Sequence, residues 1–328
     1  MSTRADLDPA PMAPALSAPL AALAGAVPPA PEWFTAALAD APERRTVTVH
    51  GCPIEALVWG DAGQPGVMLL HGNRAHADWW AFLAPFLRHT HRVVALSWSG
   101  MGGSGWRDTY TLDTLADEID GVAEATGLFE GREAPVVVAH SFGAFVALRY
   151  AARRGHRLAG TVLVDMPMKA RDEGPRDGAT PLRDNAVYRD EAAALARFRF
   201  APLQPCENLY IADHLARRAL KPAEGGGVTW RFDPFFWRTL RLGQPVQDML
   251  ASQCPLAVMW GGASVLVDRA QVARVRTKYP AGMPWVEVPA AGHHLMVDQP
   301  LAFVAALRAL LAAWPSAEAR APRHRPAG

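Results

Sequence analysis

Along the central part of the chain, short apolar runs rich in β-branched residues alternate with longer amphipathic stretches. The runs at 46–50 (TVTVH), 54–59 (IEALVW), 66–71 (GVMLLH), 92–97 (RVVALS), 135–140 (PVVVAH), 161–165 (TVLVD), 256–260 (LAVMW) and 284–288 (PWVEV) have strand length. The inner runs are apolar throughout, which is the pattern of strands covered on both faces. Helices are predicted between them at 76–89, 111–126, 142–153, 268–279 and 300–313, with Asp113, Asp268 and Gln299-Pro300 as start signals. Such alternation predicts an α/β fold, a mostly parallel central sheet with helices on both faces. The first two strands, joined through His50-Gly51-Cys52-Pro53, read as an antiparallel hairpin at one edge.

The rhythm breaks between Met166 and Gln253, a stretch charged at first and then helical and aromatic. A structureless loop of that length does not fit a compact domain. The expected organisation is a core of residues 32–167 and 251–314 carrying a helical cap at 168–250. Residues 1–31, rich in Ala and Pro, and residues 315–328 read as disordered tails. The prolines at 9, 11, 14 and 19 interrupt the apolar segment that a secretory signal needs.

Composition narrows the function by exclusion. A net charge of +1, with mixed signs along the chain, gives no footprint for nucleic acid or an anionic membrane. No apolar run reaches the roughly 18 residues that span a bilayer. Cys52, Cys206 and Cys254 are far apart and odd in number, so free thiols in a reducing, cytoplasmic setting are expected. No metal, nucleotide or flavin motif is present, so no cofactor is expected. The Gly100–Gly105 run does not open a phosphate-binding helix after the first strand. A small-molecule substrate is the expected partner, and the oligomeric state is open.

The chemistry centres on residues 136–144 (VVVAHSFGA), an apolar strand running into a helix. A serine on a strained strand-to-helix turn is a nucleophile elbow, usually written G-x-S-x-G. Here Ala139 replaces the first glycine, and Ser141 is the nucleophile. A five-residue pattern is weak alone, and its strand-then-helix context is what gives it weight. The bland alternative is a serine that merely caps the helix.

At these residues the chain resembles the α/β-hydrolase superfamily, over about residues 44 to 313. Three further motifs match in order. Residues 69–73 (LLHGN) stand where the family places the His-Gly turn of its oxyanion hole. Residues 97–104 (SWSGMGGS) are similar to the family's D-x-x-G-x-G-x-S loop, with Ser97 in place of aspartate. Residues 291–296 (AGHHLM) match the region of the catalytic histidine.

The resemblance implies a serine hydrolase acting on an ester or related acyl bond. Ser141 needs a base, and His293 is the expected one, with His294 as its rival. The backbone N–H groups of Phe142 and Asn73 are the expected oxyanion donors. The Asn73 side chain is either a substrate contact or a turn residue. His71 is expected to stabilise the oxyanion turn, and His140 has no assigned role.

The acid is the departure. The family's W-G-x-x-D position reads Trp260-Gly261-Gly262-Ala263-Ser264 here. Asp165, at the end of the preceding strand, is expected to supply the carboxylate, as in some relatives. Asp268 is the alternative, although it also fits a helix N-cap. A bare Ser–His pair is a third option. Arg74, Trp230 and Phe235 are candidate pocket residues, against readings as solvated surface for the arginine and packing for the aromatics. Two rival functions stay open: a C–C bond hydrolase of a vinylogous diketone, and a hydrolase-fold binder without activity.

Overall fold

A computed structural model describes residues 18–167, 183–279 and 282–314. Eight strands form one sheet in the order β1-β2-β4-β3-β5-β6-β9-β10. They span Glu43–Val49 (β1), Cys52–Trp59 (β2), Gly66–Leu70 (β3), Arg92–Leu96 (β4), Val136–His140 (β5), Gly160–Val164 (β6), Leu256–Gly261 (β9) and Trp285–Val288 (β10). All eight predicted strands are present. β1–β2 and β2–β4 pair antiparallel, and every other pair in this sheet is parallel.

Side chains leave a strand alternately to opposite faces, so each inner strand feeds two cores. Val67 and Leu69 of β3 join one cluster with Val138 and Val162, while Met68 and Leu70 join the other with Val137 and Leu163. Both faces are therefore apolar, which is why the inner strands read as unbroken apolar runs. The helices Leu112–Ala125 (α2) and Phe142–Arg154 (α3) lie on the second face, and Pro300–Ala313 (α8) lies on the first. Thr111, not Asp113, caps α2, its hydroxyl accepting from the Thr114 N–H at 3.0 Å.

Three expectations need correction. The helix expected over 76–89 is instead two 3-10 turns, Ala77–Trp80 and Ala84–Phe86. Pro85 explains this, because inside an α-helix it would lack its N–H and clash with the preceding turn. The tail expected at 1–31 is packed from residue 18 onward. Leu20 is 1% exposed within the first core, and Arg217 donates to the Gly25 carbonyl at 2.9 Å. Glu32–Ala39 (α1) follows, and its Phe34 stacks on Phe82 and Tyr210. Residues 1–17 and the segment expected as a C-terminal tail, 315–328, lie outside the described residues.

The third correction concerns the insertion between β6 and β9, expected to be helical. From residue 183 it holds the helices Glu191–Leu195 (α4) and Leu209–Arg218 (α5), then an antiparallel pair, Leu220–Pro222 (β7) and Val228–Trp230 (β8). Gly225, Gly226 and Gly227 all have positive φ in the hairpin turn, a signal the helical reading passed over. The closing helix Pro245–Leu250 (α6) packs on α3, so it belongs with the core layer. The hairpin's exit is bonded to the glycine loop after β4: Gly102 N–H donates to Arg231 O at 2.8 Å and Asp233 N–H to Gly100 O at 2.7 Å.

Truncating Leu20 to alanine tests the packed segment. A buried leucine costs about 2–5 kcal/mol on truncation, so urea unfolding of Leu20→Ala should show a loss in that range. An unchanged midpoint would mean that the segment contributes nothing.

Candidate active site

The site lies beyond the carboxyl ends of β3, β5, β6 and β10, where a parallel sheet presents its ligand-binding edge. Ser141 joins β5 to α3 with φ 51° and ψ −115°, a backbone conformation costly for any residue but glycine. Its N–H is held by Val164 O at 2.8 Å. The turn leaves no space at Gly143, where a Cβ would stand 2.6 Å from His71 O and 3.1 Å from Leu70 O. That close approach is the physical reason for the glycine in the elbow pattern. At Gly72 a Cβ would be 3.2 Å from the Ser141 Cβ.

The structure brings Ser141, His293 and Asp165 together. His293 Nε2 lies 2.9 Å from Ser141 Oγ, and His293 Nδ1 lies 2.6 Å from Asp165 Oδ2. A carboxylate only accepts, so the ring proton sits on Nδ1 and the Nε2 lone pair faces the serine hydroxyl. Asp165 has no solvent exposure, and two further donors reach it. Gly261 N–H binds Oδ1 at 2.9 Å and the Ser264 hydroxyl binds Oδ2 at 2.6 Å. Ser264 Oγ in turn accepts from the N–H groups of Leu266 and Val267, at 3.1 and 3.2 Å. With both lone pairs taken, its single proton is aimed at the carboxylate. Asp268, the alternative acid, caps Arg269–Arg276 (α7) through the Gln271 N–H at 2.7 Å, and no bond to His293 occurs among the described residues.

The turn after β3 is braced through His71. The Trp98 N–H donates to its Nε2 at 3.0 Å, so the proton is on Nδ1, which donates to Gly72 O at 2.7 Å. Burial pulls His71 down to about 3, which keeps the ring neutral as this arrangement requires. Phe142 N–H opens α3 and so has no intrahelical acceptor. The Asn73 carboxamide oxygen accepts from the Trp237 indole at 3.1 Å, a third role beside the two expected. Arg74 is exposed and sits with its guanidinium 4.9 Å above the Phe232 ring.

The aromatic neighbours of the elbow differ from those expected. Phe236 and Trp237 each stand 5.5 Å from the Phe142 ring. Phe235 instead packs under Arg238, and Trp230 is linked to His294 through Phe198 and Phe200. Neighbouring positions in a tight 3-10 turn point different ways, and sequence order alone does not choose between them. Sequence reasoning also missed Ser264 as a partner of the acid, although its place in the family's acid motif was the available signal.

His293 sits on a loop that the insertion holds. Gln204 Oε1 accepts from the His294 N–H at 3.1 Å, and its amide nitrogen donates to both Asp298 oxygens at 3.0 Å. Asp298 accepts from the Gly292 N–H at 2.7 Å. No helix among the described residues is long and apolar enough to cross a membrane.

The profile of the alpha/beta hydrolase family matches residues 67–307. The chain belongs to that family. It is 27% identical over 283 residues to the esterase Rv0045c of Mycobacterium tuberculosis, covering 80% of this chain and 88% of that one. It is 30% identical over 139 residues to the lipase LipV of the same organism, 42% of this chain and 51% of LipV. The chain spans about half the length of the first curated relatives it matches, 42% of the proline iminopeptidase PfmaB of Pestalotiopsis fici and 51% of LipV. Among solved structures, a thioesterase domain from a curacin biosynthetic pathway superposes with a TM-score of 0.67 at 24% identity, covering 83% of this chain and 99% of that domain. That likeness concerns the fold.

Asp298 gives the loop a pH dependence. Burial raises its carboxyl to about 6, against the opposing bonds from Gly292 and Gln204. A carboxyl with a higher pKa folded than unfolded stabilises the fold below about 4 and loses that contribution as pH rises through 6. The stability of the wild type relative to Asp298→Asn should therefore fall between pH 4 and pH 7 in parallel urea titrations. A constant difference would show that the carboxyl is not raised.

Proposed function

We propose that this protein is a serine hydrolase that cleaves a carboxylic ester of a small, largely apolar substrate through an acyl-enzyme on Ser141. The observation that carries the proposal is the hydrogen-bonded chain from Ser141 Oγ through His293 to the buried Asp165, at 2.9 and 2.6 Å. His293 Nε2 takes the hydroxyl proton as Oγ attacks the ester carbonyl, and Asp165 stabilises the imidazolium that forms. His293 then protonates the departing alcohol, and a water activated by the same nitrogen hydrolyses the acyl-enzyme. The N–H groups of Phe142 and Asn73 are assigned to the oxyanion, each worth about 3 kcal/mol in the transition state. The esterase and lipase relatives favour an ester over the C–C bond alternative. The insertion is proposed as a cap whose Phe236 and Trp237 bound an apolar acyl site above the elbow.

Ser141→Ala should abolish labelling by a fluorophosphonate probe and lower p-nitrophenyl ester turnover by several orders of magnitude. Asp165→Asn should cost up to about four orders of magnitude in kcat, because the amide favours the wrong histidine tautomer. Ser264→Ala should cost about tenfold, the loss of one bond to a charged acceptor, while Asp268→Asn should be neutral. Labelling of Ser141→Ala sinks the nucleophile assignment. Full activity in Asp165→Asn sinks the acid, and no turnover with labelling intact redirects the search toward the C–C bond.

The aromatic assignment has its own test. Trp237→Ala should shift the preference among acyl chain lengths and leave probe labelling intact, whereas Phe235→Ala and Trp230→Ala should leave preference unchanged. Identical profiles across all three variants would remove Trp237 from the acyl site.

A further inference from the structure

His140 and His294 are buried imidazoles beside the proposed active site that the hydrolytic mechanism does not use. His140 donates from Nε2 to the His293 carbonyl oxygen at 2.9 Å. A neutral ring that donates from one nitrogen holds a lone pair on the other. The lone pair of His140 is thus on Nδ1, which is buried and without a partner among the described residues. Both ring nitrogens of His294, a residue only 5% exposed, are likewise unpartnered among the described residues. Each buried polar atom left unsatisfied costs about 1–3 kcal/mol, so three of them in one cluster call for a use.

We infer that His140, His294 and His293 form a site for a transition-metal dication such as Zn2+, and that filling it switches the hydrolase off. One ring nitrogen from each lies within 4.8 Å of the others, and all three residues are buried. Atoms no farther apart than that share a central point at most about 2.8 Å from each, so movements of about 0.7 Å or less reach the metal–imidazole distance of roughly 2.0–2.1 Å. A set of neutral imidazoles suits Zn2+, Ni2+ or Cu2+, and not Mg2+ or Ca2+, which take oxygen ligands.

His293 is the member that makes the site a switch. Its Nε2 serves Ser141 and its Nδ1 serves Asp165, so it ligates a metal only by giving up one of the two. With Nε2 on the metal, no lone pair remains for the serine proton. With Nδ1 on the metal, the bond to the acid is gone. The inhibition rests on the proposed role of His293 as base, and the metal site does not.

Calorimetric titration of Zn2+ into the metal-free full chain tests the site without reference to activity. A single Zn2+ site is expected in the wild type, no response to Mg2+, and at least tenfold weaker Zn2+ binding in His294→Phe. That variant should turn over ester normally and resist Zn2+, while the inhibited wild type recovers on chelation. Equal Zn2+ affinity in the two proteins overturns the site. Should His294→Phe fail to fold, zinc-edge X-ray absorption on the wild type with one equivalent of Zn2+ decides. Three imidazole nitrogens around the metal support the site, and fewer overturn it. Zn2+ bound there with turnover intact overturns the switch, whereas turnover retained in His293→Ala overturns the role of His293 as base, so the two readings fail separately.

Discussion

A carboxylate sealed from water must be met by hydrogen-bond donors or it does not stay charged. Asp165 is met by three, and much of the site follows from how they are supplied. Gly261 supplies a backbone N–H because β9 runs beside β6 and continues two residues past Met259, the partner of Val164 at the end of β6. Ser264 supplies a hydroxyl whose direction is fixed by the two N–H groups it accepts. His293 supplies the third, and giving its proton to Asp165 leaves its other nitrogen free to face Ser141. Ring orientation, tautomer and serine contact are thus consequences of one buried charge.

The histidine end of this arrangement is held from outside the sheet. Gln204, in the insertion, accepts from the His294 N–H and donates to Asp298, which accepts from the Gly292 N–H. Asn208 adds a bond to the carbonyl of Val297 at 2.8 Å. The loop that carries His293 is fixed by residues about ninety positions earlier in the chain. The insertion and the core therefore share one network of contacts at the site.

How far the sequence could be read depended on whether the deciding physics was local. The strands were legible because burial on both faces writes an unbroken apolar run. The elbow was legible because Gly143 answers a clash between neighbouring backbones. Asp165 could be named as a candidate but not chosen, since the choice rests on Gly261, Ser264 and His293 meeting it from two other strands. Ser264 looked like a loss of the family's acid, and its hydroxyl instead donates to the Asp165 carboxylate that meets His293. The stretch 76–89 misled because apolar periodicity outweighed Pro85. The packing of Leu20 was hidden because a short apolar stretch among prolines looks the same whether or not a surface waits for it.

The pairing of the insertion with the glycine loop has a consequence for how this chain can vary. Gly100 and Gly102 exchange backbone bonds with Asp233 and Arg231, Met101 bridges to Phe232, and the Tyr110 hydroxyl donates to Asp233 at 2.7 Å. Backbone bonds of this kind fix register, and a one-residue shift turns each side chain to the opposite face. Two segments more than a hundred residues apart are therefore tied to a common length. A chimaera that exchanged the insertion for that of another hydrolase would have to carry the 97–110 loop with it. The unit of exchange is the pair, and neither segment is modular alone.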